Sequence, residues 1–289
     1  MGSAARGLPP AAVSALRCSV CTEELERAGP ALRCPRGHSF DLAKQGYVNL
    51  CRAGVAVGTA DTAEMVAARM AFLGAGHYAP LSELLATTAA GLDPELVLDA
   101  GAGTGHYLAE VLDAVPNATG LALDVSAAAI KRAARAHPRI GAVVWNLWQD
   151  WPVASGVGDL VLNVFAPRNA AEFHRVLRRD GALVVASPGQ GHLAELATTL
   201  GLLEVDRDKQ QRLDGTLGGH FELVDRVRRE TRLELDPEQV RQAVFMGPNA
   251  HHLHRDGLGE RLTAVTEPVA TTASFVVSTY RPRTEAGAR

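Results

Sequence analysis

Cys18, Cys21, Cys34 and His38 follow the spacing Cys-x2-Cys-x12-Cys-x3-His. Two thiolates on one tight knuckle and a Cys/His pair on a second present four soft to borderline donors, the set that suits tetrahedral Zn2+ in a closed structural site. The segment carrying them is too short to bury a core of its own, so metal would supply its folding free energy. Cys51 falls outside this spacing and reads as an incidental free thiol.

A second constellation starts at Asp99-Ala-Gly-Ala-Gly-Thr-Gly105, which follows an apolar run and opens a helical stretch. Glycines in such a turn let a ligand approach the backbone, and the helix start offers unpaired N–H groups. The run Gly120–Leu123 ends in Asp124, nineteen residues after Gly105, where a carboxylate can accept both hydroxyls of a ribose. A dinucleotide site would usually read G-x-G-x-x-G; here the third glycine comes one position early and an acid precedes the loop. This D-x-G-x-G-x-G form resembles the first motif of class I S-adenosylmethionine-dependent methyltransferases.

Further runs narrow the resemblance. The zinc spacing is followed by Gly37-His-Ser-Phe-Asp-Leu-Ala-Lys-Gln-Gly-Tyr-Val-Asn-Leu50, Asp61-Thr-Ala-Glu-Met65 and Phe72-Leu-Gly-Ala-Gly-His-Tyr78. Later come Leu123-Asp-Val-Ser126, Phe165-Ala-Pro167 and Ser187-Pro-Gly-Gln-Gly-His-Leu193. Together they strongly resemble the RlmA-type 23S rRNA (guanine-N1)-methyltransferases, closest to the branch that confers resistance to macrolides such as tylosin.

The resemblance implies that Cys18, Cys21, Cys34 and His38 hold one structural zinc. It also implies that Tyr78, Asp99, Gly101, Gly103, Thr104, Gly105, His106, Asp124 and His192 line an S-adenosylmethionine site. The substrate would be a 23S rRNA hairpin, and the chain a cytoplasmic homodimer. Phe165, Ala166 and Pro167 form the candidate base pocket, with Phe165 stacking on an extruded guanine and Tyr47 a distant second choice. Two departures stand out: the loop reads Gly-Ala-Gly-Thr-Gly where relatives often carry Cys and an acid, and Asn163 stands where relatives can carry Arg. Guanine N1 bears a proton that must leave before the nitrogen attacks a methyl group, and no residue is singled out as its acceptor.

These groups need a scaffold that aligns them. Residues 1–16 are rich in Ala, Pro and Gly without periodicity and read as a disordered tail. Residues 17–51 read as the zinc module, 52–60 as a linker and 61–289 as the methyltransferase domain. Helices are expected from Asp61, with Asp61 as the cap of a capping box, and near Pro80–Thr88. Short apolar runs at Leu96–Asp99, Gly120–Asp124, Ala142–Trp145, Leu160–Val164 and Ala182–Ser187 alternate with helical stretches at His106–Ala114, Ala127–His137 and Ala170–Arg178. That alternation predicts an α/β fold, a Rossmann-like doubly wound parallel sheet. A helix to about Leu200, β-like alternation over His220–Leu235, a helix near Pro237–Phe245 and a strand at Phe275–Tyr280 complete the pattern.

Composition sets the outer bounds. The chain has 289 residues, 47% of them apolar and 21% charged, with a net charge of −3. No stretch approaches the ~18 apolar residues of a membrane span, so neither insertion nor a membrane partner is expected. Residues 1–55 hold seven basic against four acidic side chains, and the rest twenty-two against twenty-eight, so a basic module precedes an acidic body. Arg17, Arg33, Arg36, Lys44 and Arg52 give that module a positive face suited to phosphates. Rival readings are a small-molecule methyltransferase braced by zinc and a non-catalytic RNA-binding protein; retention of both Asp99 and Asp124 argues against the second.

Overall fold

The computed structural model describes residues 7–52, 60–202, 209–247, 250 and 257–283. The N-terminal part comprises helix α1 (Pro10–Ala15) and strands β1 (Glu26–Ala28), β2 (Ala31–Arg33), β3 (Ser39–Asp41) and β4 (Tyr47–Asn49). Helices α2 (Ala63–Gly74) and α3 (Ala79–Leu92) lead into β5 (Leu96–Ala100), α4 (His106–Ala114), β6 (Thr119–Asp124), α5 (Ala127–Ala136) and β7 (Ile140–Val144). Then follow β8 (Gly158–Val164), α6 (Ala170–Val176), β9 (Leu177–Pro188), α7 (Ala194–Leu200), α8 (Lys209–Leu217) and β10 (Phe221–Leu235). Helices α9 (Pro237–Phe245) and α10 (Leu258–Ala264) and strand β11 (Val269–Pro282) complete the described chain.

Eight strands form one sheet in the order β10-β11-β9-β8-β5-β6-β7-β4, and β1, β2 and β3 form a small antiparallel sheet. The pairings from β4 across to β9 are parallel, while β11 and β10 close the far edge antiparallel. The central strands are buried on both faces, which is why they read as nearly continuous apolar runs. On β5, Leu96, Leu98 and Ala100 join one apolar layer and Val97 joins the other. One layer is built with α2, α3, α4, α5, α7, α9 and α10; the other with α1, α6, α8 and the cysteine-bearing segment. The doubly wound expectation therefore holds.

Two local readings are corrected and one gains detail. The expected disorder of residues 1–16 fails for its described part: α1 buries Ala12 and Ala15, and Leu8 and Leu16 are 4% and 0% exposed. A helix of small residues shows no apolar stripe, yet it lies close to β7, where a Cβ at Gly141 would come within 2.6 Å of Ala12 Cβ. Second, the 17–51 segment is tied into the main sheet, because its β4 pairs in parallel with β7. Third, Thr62 caps α2 by accepting from Met65 N at 3.2 Å, while the Asp61 carboxylate is drawn instead to Arg69. The expected linker lies mostly in 53–59, outside the described residues. Helices α8 and α10 were not anticipated.

Substitution of Leu16 by Ala is expected to lower unfolding stability by about 2–5 kcal/mol, as for other buried leucines. Guanidinium titration measures this; an unchanged midpoint would mean that the segment is detached.

Candidate active site and metal centre

Two knuckles gather the metal donors. Thr22 N donates to Cys18 O at 2.8 Å in the first, and Gly37 N to Cys34 O at 2.9 Å in the second. Both turns use left-handed backbone, at Thr22 (φ 64°) and Gly37 (φ 85°). The His38 Nδ1 atom lies 3.5 Å from Cys18 Sγ and 3.3 Å from Cys34 Sγ, and the Cys21 and Cys34 sulfurs are 3.7 Å apart. All four donor atoms fall within 4.8 Å of one another. Tetrahedral ligands at 2.0–2.3 Å from zinc stand roughly 3.5 Å apart, so the donor set is already at coordination spacing. Burial raises the Cys34 thiol, but hydrogen bonds from the His38 backbone and ring outweigh it and bring the pKa down to about 6. Cys51 stays outside the cluster, its Sγ directed to Val144 O at 3.5 Å.

The second centre forms where β5, β6 and β8 end. Gly101, Gly103 and Gly105 all have positive φ, at 84°, 54° and 77°, a path that other residues rarely follow. A Cβ at Gly101 would lie 2.3 Å from Ala166 Cβ, so this glycine permits contact between the Gly-rich loop and the Phe165-Ala166-Pro167 loop. Asp124, at the tip of β6, accepts from Gly103 N at 2.9 Å through Oδ2 and from Ser126 N at 2.8 Å through Oδ1. Each oxygen keeps a lone pair for another donor. Burial, opposed by those two N–H groups, raises the Asp124 pKa. Asp99 is 2% exposed, and burial together with the Asp124 charge raises its pKa to about 8. Thr104 is buried, and the His106 ring is turned to Ser82 Oγ at 3.3 Å.

Tyr78, Phe165, His192 and Phe275 make an aromatic cage beside these loops. Phe165 ring centroids lie 6.4 Å from Tyr78, 6.2 Å from His192 and 6.2 Å from Phe275. His192 Nδ1 lies 2.8 Å from the Ser274 carbonyl and accepts from Ser274 N at 3.2 Å in the alternative tautomer, while Nε2 shares a hydrogen bond with the Tyr78 hydroxyl at 3.1 Å. Burial pushes the Tyr78 hydroxyl well above its usual pKa, so it stays neutral. Phe165 is 41% exposed and holds φ 53°, a strained conformation for a bulky residue.

A family model described as the N-terminal domain of RlmA matches residues 16–52, and a methyltransferase-domain model matches residues 97–181. A Micromonospora griseorubida protein described as a 23S rRNA (guanine-N1)-methyltransferase is 50% identical over 287 residues, covering 92% of this chain and 97% of the relative. The 23S rRNA (guanine(748)-N1)-methyltransferase of Streptomyces fradiae is 46% identical over 271 residues, covering 92% and 96%. This chain belongs to the RlmA-type 23S rRNA (guanine-N1)-methyltransferase family. Its catalytic fold uses S-adenosylmethionine as methyl donor, and its cysteine segment is the RlmA zinc ribbon.

The RlmA-type chain brings nearly all the sequence candidates into these two centres. Tyr47 is the exception: it pairs with Ala142 on the β4 flank, four strands from β8, and packs partly buried against the core. The positive face is also weaker than expected, because Arg17 pairs with Glu24 at 3.4 Å and Arg36 with Glu23 at 3.2 Å. Arg69 escaped the sequence reading. Its guanidinium would stand 3.2 Å from a Cβ at Gly103, it pairs with Asp61, and it donates to Met246 O at 2.7 Å. An arginine on a helix ahead of the fold reads as a solvated face until α2 is seen against the Gly-rich loop.

Two outcomes are expected. Purified wild-type chain carries one zinc per chain and Cys34→Ser close to none, with new proteolytic cleavage inside the ribbon; full zinc in the variant would exclude the cluster as the site. Asp99, whose pKa rises from 3.8 to about 8, keeps its proton in the folded chain after the unfolded chain has lost it. Its contribution to stability is therefore present below about pH 4 and lost as pH rises through about 8. Melting curves of Asp99→Asn should gain on wild type over that interval; a constant difference would contradict the buried acid.

Proposed function

We propose that this chain transfers the methyl group of S-adenosylmethionine to N1 of a guanine in a hairpin loop of 23S rRNA. The observation that carries the reading is the joining of a complete Cys3His ribbon to a methyltransferase site within one continuous likeness to enzymes named for this reaction. The 46% identity to the guanine-748 enzyme supports that position, and the likeness of the sequence motifs to the macrolide-resistance branch supports a role in tylosin-type macrolide resistance.

S-adenosylmethionine would supply an electrophilic methyl on a sulfonium. Gly101, Gly103 and Gly105 would admit it against the backbone, Asp124 would accept its ribose hydroxyls, and Asp99 would face its cationic end. Tyr78 and His192 fit the wall of the same cleft, where their mutual hydrogen bond fixes both rings. Phe165 presents the exposed face on which an extruded guanine would stack. Rigid alignment of base and donor is the main contribution open to these residues. The ribbon would hold the hairpin while the base is presented.

Primer extension on large-subunit rRNA tests the reading, since N1 methylation blocks Watson–Crick pairing and stops reverse transcriptase. A stop should appear in a host expressing wild type and vanish with Gly101→Ala, whose Cβ would collide with Ala166. Tolerance to tylosin-type macrolides should rise with the stop. The discrimination supplied by one methyl is about 1–3 kcal/mol, so a modest increase is expected. No stop in any hairpin would overturn the proposed activity; a stop with unchanged susceptibility would remove the resistance role alone.

A further inference from the structure

Trp148 is the most exposed large apolar side chain among the described residues, at 67%, while its neighbours Trp145 and Trp151 are 3% and 4% exposed. The turn that bears it is braced. Trp148 N donates to Asn146 Oδ1 at 3.1 Å, Gln149 N to Asn146 O at 3.0 Å, and Trp151 Nε1 to Leu147 O at 3.1 Å. An indole displayed on so fixed a backbone loses little further freedom when it meets a partner.

Both flanks of the turn lead to functional parts. On one side Asn169 Nδ2, two residues past Pro167, donates to Leu147 O at 3.1 Å, and Leu147 Cδ1 lies 3.6 Å from the place of a Cβ on Gly101. On the other, Leu50 N donates to Val144 O at 3.4 Å, and Arg52 reaches back to Ser19 O, between the first two zinc ligands, at 2.9 and 2.6 Å. This path from ribbon to base loop carries three exposed apolar side chains: Val20 (49%), Trp148 and Phe165 (41%).

We propose that Trp148 is a stacking platform for an unpaired base of the substrate hairpin, next to the guanine that enters against Phe165. The inference rests on the rRNA-methyltransferase reading above. The turn lies on the contact path between ribbon and Phe165 loop, so a hairpin held by the ribbon and offering a base at Phe165 would pass it. The guanidinium of Arg52 beside that path suits a polyanion better than a protein surface, since its bonds to a carbonyl leave its charge in place. Aromatic stacking accepts any base, so it positions the loop without selecting its sequence.

The test uses the full chain and a synthetic hairpin of the 23S rRNA loop that contains the target guanine. Because Trp145 and Trp151 are buried, fluorescence quenching by added RNA reports Trp148. Wild type should be quenched; Trp148→Ala should lose the quenching and bind the hairpin at least about fivefold more weakly, and Trp148→Phe should restore most of the affinity. Calorimetric affinity for S-adenosylhomocysteine should be equal in all three. Hairpin binding without quenching, and as tight in Trp148→Ala as in wild type, overturns the stacking role and leaves the enzyme reading intact. A wild type that binds no hairpin overturns the rRNA reading itself. Lost S-adenosylhomocysteine affinity in Trp148→Ala would place the ring in the cofactor cleft, and a reduced sedimentation mass with unchanged RNA affinity would assign it to a second copy; either result overturns the proposal.

Discussion

One buried amide ties the Gly-rich loop to the Phe165-Ala166-Pro167 loop. Asn163, 0% exposed on β8, donates through Nδ2 to Ala100 O and to Pro167 O, each at 3.0 Å. The first carbonyl opens the Gly-rich loop and the second closes the Phe165-Ala166-Pro167 loop. Two carbonyls facing one side chain require a group with two N–H donors. A carboxylate of the same size would set oxygen against oxygen in a buried place, where an unpaired charge is costly. The arginine that the family resemblance permits at this position also offers several N–H donors, so both choices satisfy the same constraint by different reach. Close approach of the loops then makes Gly101 the residue that fits against Ala166.

Much else follows from that junction. With Pro167 fixed, the short connection from β8 to α6 leaves Phe165 in the left-handed region, and its ring is pushed out to the cage of Tyr78, His192 and Phe275. With Ala100 fixed, the Gly-rich loop turns toward β6, where Asp124 pins Gly103 N. The raised pKa of Asp99 follows from the same closeness: burial away from solvent first, and a second carboxylate nearby. A cationic ligand relieves both effects, which gives the cleft a preference for positive charge before any ligand enters.

Legibility in the sequence followed the strength of the physical signal. The metal set was readable because four soft donors at knuckle spacing have few other uses, and β5 to β9 were readable because buried parallel strands cannot avoid long apolar runs. Asp61 and Thr62 are equally able caps, and only Arg69 on the next turn, invisible to a local rule, decides between them. Helix α1 was missed because Ala against Gly makes a close contact without a hydrophobic stripe. In α8, only Leu213 and Leu217 are buried, too thin a pattern to stand out. Tyr47 and Trp148 show the converse: an aromatic residue carries no mark of whether it will be packed or displayed until its strand or turn is placed.

The pairing of β4 with β7 changes what the ribbon can do. A zinc knuckle on a flexible tether would raise the local concentration of RNA near the site but leave its orientation free. Here β4, which follows the knuckle by way of β3, is itself part of the catalytic sheet, with Tyr47, Val48 and Asn49 in register with Ala142, Val143 and Val144. Leu25 and Leu32 of the ribbon share one apolar layer with Leu98 and Val161 of the central strands. Ribbon and cleft therefore keep a fixed distance and angle, and an RNA gripped at one meets the other in a single register. On the proposed reading, in which acceleration comes chiefly from alignment, that rigidity would belong to the catalytic apparatus, and the zinc would act on the chemistry by holding the substrate's other end still.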